Sequence, residues 1–225
     1  MRELGDWYTR GYLPHFDEGG TEQLITYRLG DALSDDVLRK LAEQSTLGNP
    51  PPTPSPGAPP LGAPAAGWLR DERAARRREN IERYLDAGHG CCVLRDAACA
   101  RLVIENWMRF EGERYHLIAW VVMPNHVHVL ARFREGESLG RVVQSWKSYT
   151  AKKLLARVPA AIFPQGRVWQ REYWDRFIRD EAHRAAAIRY IHENPVNAGL
   201  VACAEDWPWS SASAPGSAGG PPALH

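Results

Sequence analysis

A chain of 225 residues, 44% hydrophobic and 24% charged, has the composition of a globular protein of one generous domain. No apolar run approaches the roughly 18 residues that would span a membrane, and the opening MRELGDWYTR lacks the apolar stretch of a secretory leader. A cytoplasmic location is therefore expected. The net charge of +1 excludes a uniformly basic nucleic-acid coat. The charge is nevertheless uneven: from Leu139 to Arg189 eleven basic residues stand against four acidic ones. Such a local basic surface suits phosphate binding, although a charge run is also an ordinary solvated face.

In chain order, QLITYRL (Gln23 to Leu29) reads as a first strand, rich in β-branched and aromatic residues. Ser34 is placed to cap a helix through DDVLRKLAEQ. The proline-rich tract within residues 47–66 cannot build helix or sheet and reads as an insertion in a surface loop. Trp68 to Leu85 is expected to be a charged helix and Cys91 to Leu94 a short strand. Asp96 then caps a helix through about Phe110. Tyr115 to Met123 reads as a buried strand, Pro124-Asn125 as a tight turn, and His126 to Phe133 as the returning antiparallel strand. Ser138 caps a long helix, Val168 to Ile178 is extended, and Asp180 caps a last helix that Pro195 is expected to stop. Residues 212–225 read as a disordered tail, leaving a single domain over residues 1–211. The hairpin and the mixture of elements predict an α+β sandwich, with a mostly antiparallel sheet and helices on one face. Cys91, Cys92, Cys99 and Cys203 contain no CxxC pair, which argues against a zinc ribbon and for reduced structural thiols.

His126 and His128, two apart on a strand, project from one face while Val127 and Val129 turn to the other. Two such imidazoles can grip one metal ion, though an HxH pair also fits a half-exposed polar strand face. In the last helix Tyr190 and Asn194 are four apart and share a face. The amide oxygen of Asn194 is a hard donor suited to Mg²⁺ or Mn²⁺. A phenol so placed can attack phosphorus and store the broken bond as a phosphotyrosine ester. Tyr149 and Tyr173 compete for this role, and only the pairing with Asn194 favours Tyr190. His183 shares the face of Tyr190, and Arg189 and His192 could tune its phenol, but no general base stands out. In VWQREYWDRFIRD, Trp169 could stack on unpaired bases while Arg171, Arg176 and Arg179, with Lys147, Lys152 and Lys153 of the preceding helix, hold phosphates. An ordinary strand burying its aromatics fits that segment equally well.

Together MPNHVHVL, SWKSYTAKKLL, VWQREYWDRFIRD, YIHENPVNAGLV and DWPWSS resemble the REP-associated tyrosine transposases of the HUH single-tyrosine superfamily. The resemblance runs from about Arg10 to Ser211, apart from the proline-rich insertion. It implies a ferredoxin-like α+β fold, His126 and His128 as metal ligands with Asn194 on or near the metal, and Tyr190 as nucleophile. It further implies Mg²⁺- or Mn²⁺-dependent cleavage and rejoining of single-stranded DNA through a 5′-phosphotyrosine link, on hairpin-forming repetitive palindromes, by a monomer or a homodimer. Two other readings stay open. One is a catalytically silent hairpin-DNA-binding protein or regulator. The other is a zinc hydrolase that recruits Glu172 or Glu193 as a third ligand.

Overall fold

The computed structural model describes residues 6–9, 14–17, 20–33, 36–37, 39–40 and 79–213. Its centre is a four-stranded antiparallel sheet made from β3 (Glu22–Arg28), β4 (Tyr115–Val122), β5 (His126–Phe133) and β6 (Trp174–Phe177), in the order β4-β5-β3-β6. A separate antiparallel pair joins β1 (Asp6–Thr9) to β2 (Pro14–Asp17). Three helices are described from end to end: α1 (Ala97–Met108), α2 (Leu139–Leu155) and α3 (Glu181–Asn197). The expected α+β class holds.

The period of two in the strands sorts their side chains between two apolar layers. Ile25, Tyr27 and Leu29 join Val127, Val129, Ala131 and Phe133 in the larger core beneath α1 and α2, centred on Trp107 and Trp146. Leu24, Ala119, Val121, Met123 and Leu130 face the other way, against Ala187 and Ile191 of α3. The helices therefore do not all lie on one face. Two do, as expected; α3 crosses the opposite face, because its Ala187 and Ile191 need cover that only that face supplies. His126 and His128 share strand parity with Leu130, so they point toward α3.

Several boundaries differ from the sequence expectation. Cys91 to Leu94 is not a strand: Cys92 adopts a left-handed conformation (φ 48°) and Val93–Arg95 forms a short 3-10 turn. The Asp31 carboxylate accepts the Cys91 N–H at 2.6 Å and helps to hold that bend. Within residues 168–178 only Trp174–Phe177 forms a strand, although Trp169 makes one bridge to Leu29. Pro195 does not stop α3, which runs on to Asn197. A proline this close to a helix end forfeits one hydrogen bond. Ala198 N–H to Asn194 O (3.0 Å) and Leu200 N–H to Pro195 O (2.9 Å) close the helix beyond it, with Gly199 at φ +67°. Asp96 and Asp180 cap α1 and α3 with their side chains as expected, whereas Ser138 precedes α2 without a side-chain bond. Residues 79–86 are helical, as are 36–37 and 39–40. The proline-rich tract, most of the helix expected from Trp68, and residues 214–225 lie outside the described residues.

After α3 the chain returns along the outer edge of β4. Val122 N–H bonds Trp209 O at 2.8 Å, Ser211 N–H bonds Trp120 O at 2.9 Å, and Trp207 Nε1–H bonds Val122 O at 3.0 Å. Trp207 and Trp209, both half-buried, thus pack along that edge of the sheet.

Candidate active site

The turn Pro124-Asn125 and the strand after it set up the site. Asn125 is fully buried, and its amide donates to Leu85 O (3.0 Å) and His89 O (2.9 Å) at the end of helical segment 79–86. With both amide hydrogens so used, its Oδ1 must accept, and it does so from Nδ1–H of His126 at 2.7 Å. That bond fixes the His126 tautomer and leaves a lone pair on Nε2. His126 Nε2 lies 3.1 Å from His128 Nε2. His128 Nδ1 meets Thr26 Oγ1 at 2.7 Å, across the β3-β5 pairing of Thr26 with His128. A hydroxyl both donates and accepts, so Thr26 serves either tautomer of His128. Both rings are buried, and burial holds them neutral: the pKa of His128 falls to about 3, and that of His126 lies well below the usual imidazole range, pushed further by His128 and Arg28.

α3 brings Tyr190 to this pair. Its hydroxyl lies 3.4 Å from His128 Nε2, and the two rings meet edge to face with centroids 5.1 Å apart. Asn194, one turn on, is 3% exposed and near enough to lower the Tyr190 pKa, while its Oδ1 has no hydrogen-bond partner. The four residues that spacing had singled out are therefore together.

Helical segment 79–86 adds two carboxylates that sequence reading did not select. Glu82 lies close enough to the Tyr190 hydroxyl to raise its pKa. Asp86 Oδ1 lies 3.9 Å from His126 Nε2. Burial first, and then Glu82, raise the pKa of Asp86 to about 6. Burial, followed by Glu82 and Asp86, raises that of Tyr190 well above its ordinary value, against a smaller lowering by Asn194. The phenol thus holds its proton until positive charge is brought near.

The donor set suits a divalent cation. Two neutral imidazole nitrogens 3.1 Å apart match the roughly 3 Å between adjacent ligands on an octahedral ion with bonds of about 2.1 Å. The unpartnered Oδ1 of Asn194 is an oxygen donor of the kind Mg²⁺ and Mn²⁺ prefer. Among the described residues, no three His, Cys, Asp or Glu side chains are already set to hold a metal ion. Glu193, one of the carboxylates that a zinc hydrolase would need, is exposed on α3.

The remaining candidates separate by burial. Trp169 is 5% exposed; its ring meets Tyr27 edge-on at 4.8 Å and its Nε1–H bonds Thr150 Oγ1 at 2.9 Å, so it offers no face to a base. Lys147 is also buried, its Nζ donating to Arg171 O at 2.7 Å. Both belong to the structural interior, which corrects the expectation that they contact DNA. Lys152, Lys153, Arg171, Arg176 and Arg179 are exposed. Tyr173 is buried in the larger core, and Tyr149 is exposed on α2 between Arg109 and Lys153. His183 turns back to the Arg179 N–H, His192 bonds Ser211 Oγ at 2.9 Å, and Arg189 is exposed.

With this geometry in place, residues 103–194 match the family described as Transposase IS200 like, a stretch that runs from α1 to Asn194. That stretch is thus similar to an IS200-like transposase domain. Within it, the chain resembles the REP-associated tyrosine transposases. It is 26% identical over 103 residues to a protein of that name from Haemophilus influenzae, covering 43% of this chain and 58% of the relative. To the REP-associated tyrosine transposase of Escherichia coli it is 29% identical over 99 residues, covering 43% and 54%. The chain thus spans little more than half the length of the curated relatives it matches. A REP-associated tyrosine transposase bound to a REP hairpin shares the fold, with a TM-score of 0.53 at 16% identity over 89% of this chain and 82% of that one. No described helix is long and apolar enough to cross a membrane.

Proposed function

We propose that this chain cleaves and rejoins single-stranded DNA at hairpin-forming, REP-like sequences, with Tyr190 as nucleophile. The observation that carries the reading is the Tyr190 hydroxyl, 3.4 Å from His128 Nε2, which is itself 3.1 Å from His126 Nε2. The relatives' names and the hairpin bound by the structural neighbour supply the substrate class.

In the reaction, Tyr190 Oη forms a bond to phosphorus as the bond from phosphorus to the 3′ oxygen breaks. The products are a 5′-phosphotyrosine and a 3′-hydroxyl, and the reverse step rejoins a strand without another energy source. Glu82, close enough to raise the Tyr190 pKa, is a candidate to take the phenolic proton. Asn125 and Thr26 hold the imidazole rings in orientation. His126, His128 and the Asn194 amide oxygen would hold Mg²⁺ or Mn²⁺. When bound, the ion supplies electrophilic help to the phosphate and stabilises charge on the leaving oxygen.

The test is a labelled single-stranded hairpin incubated with Mn²⁺ and resolved on a denaturing gel. Wild type is expected to give a covalently shifted band. Tyr190→Phe should lose that band while retaining hairpin affinity in a native gel. A wild-type chain that binds the hairpin without forming an adduct would instead be a silent DNA-binding protein.

A further inference from the structure

We propose that Asp86, delivered by helical segment 79–86, is a carboxylate ligand of the divalent cation that His126, His128 and Asn194 would hold. The proposal rests on the functional reading above and extends its ligand set to a part of the chain outside the HxH and Tyr-Asn motifs. Asp86 Oδ1 lies 3.9 Å from His126 Nε2, close to the roughly 4 Å that separates opposite ligands on one octahedral ion. Like Asn194 Oδ1, it is shielded from solvent and has no hydrogen-bond partner. A buried, orphaned carboxylate oxygen beside His126 Nε2, with a second orphaned oxygen on Asn194 one turn from Tyr190, is the reverse of a self-contained hydrogen-bond network.

The placement is built into the fold. Leu85, 2% exposed, anchors the segment in the larger core, and Asn125 grips its end through the carbonyls of Leu85 and His89. Because Asn125 also orients His126, one side chain positions both the carboxylate-bearing segment and an imidazole. A carboxylate adds a full negative charge to an otherwise neutral donor set, which raises affinity for a hard cation.

The test measures Mn²⁺ binding by the full-length chain, by electron paramagnetic resonance titration without DNA, for wild type, Asp86→Asn, Asp86→Glu and His128→Ala. Asp86→Asn is expected to weaken Mn²⁺ about tenfold to a hundredfold, with Asp86→Glu recovering part of the loss. The metal-free melting temperature of Asp86→Asn should be no lower than that of wild type, since Oδ1 gives up no hydrogen bond. A merely structural residue would lower the melt and leave the affinity of the folded fraction unchanged. If Asp86→Asn binds within about twofold of wild type while His128→Ala does not bind, the Asp86 assignment falls and the imidazole site stands. If wild type itself does not bind Mn²⁺, both fall. Should the variants fail to fold, wild type labelled with ¹³C at aspartate carboxylates decides: a strong ¹³C hyperfine coupling from bound Mn²⁺ supports ligation, and its absence overturns it.

Discussion

Asn125 bonds in two directions, and the site depends on both. Its donors hold the end of helical segment 79–86 and its acceptor sets the tautomer of His126. Replacing it with alanine removes three buried hydrogen bonds and strands two carbonyls and a ring N–H. Asn125→Ala is therefore expected to lower unfolding free energy by about 2–3 kcal/mol, read from urea denaturation, and to weaken Mn²⁺ binding as well. At this scale much of the site was legible. His126 and His128 follow from a spacing of two on a strand, and Tyr190 and Asn194 from a spacing of four on a helix. Glu82 and Asp86 were not legible: four apart on a charged helix, they look like any solvated face. Only the long-range grip of Asn125 and the burial of Leu85 turn them inward. Trp169 and Lys147 failed for the opposite reason. An interleaved aromatic and basic pattern reads the same whether its rings stack on bases or on Tyr27.

Element by element, the caps and the strand parity were the readable features, because each is set by local chemistry. Asp96 accepts from the N–H groups of Ala98 and Cys99, and Asp180 from that of His183. Asp180→Ala is expected to cost about 1 kcal/mol of stability, and Asp96→Ala to lower stability too, both measured by urea unfolding. The parity of β5 was equally clear, with Val127 and Val129 on one face and the two histidines on the other. What parity could not say is which face α3 would cover, since that depends on how the chain crosses the sheet after β6. The strand expected at Cys91 and the stop expected at Pro195 failed because tertiary hydrogen bonds, from Asp31 and from the residues that close α3, override the local preference.

Across the whole molecule, the small net charge hides a division of labour among the basic residues. Arg176 pairs with Leu24 across the β3-β6 register and so shares the sheet face of the histidines, and Arg179 follows it at the surface. Lys147, in contrast, is spent on the Arg171 carbonyl. Arg176→Gln and Arg179→Gln should each flatten the log–log salt dependence of hairpin binding by about one unit, read from titrations at several salt concentrations. Lys147→Ala should leave that slope unchanged and lower the melting temperature instead.

The groups that meet at the imidazole pair come from Thr26, Glu82, Asp86, Asn125, Tyr190 and Asn194, so the site spans most of the described chain. Long loops must close before any two of them touch. Tyr190 and Asn194 both sit on α3, which is held to the sheet face of the histidines by Ala187 and Ile191. A copy cut before α3 would keep the imidazole pair but lose the phenol and the Asn194 amide together. The proposed nucleophile and one proposed ligand would therefore be gained or lost as a single helical unit.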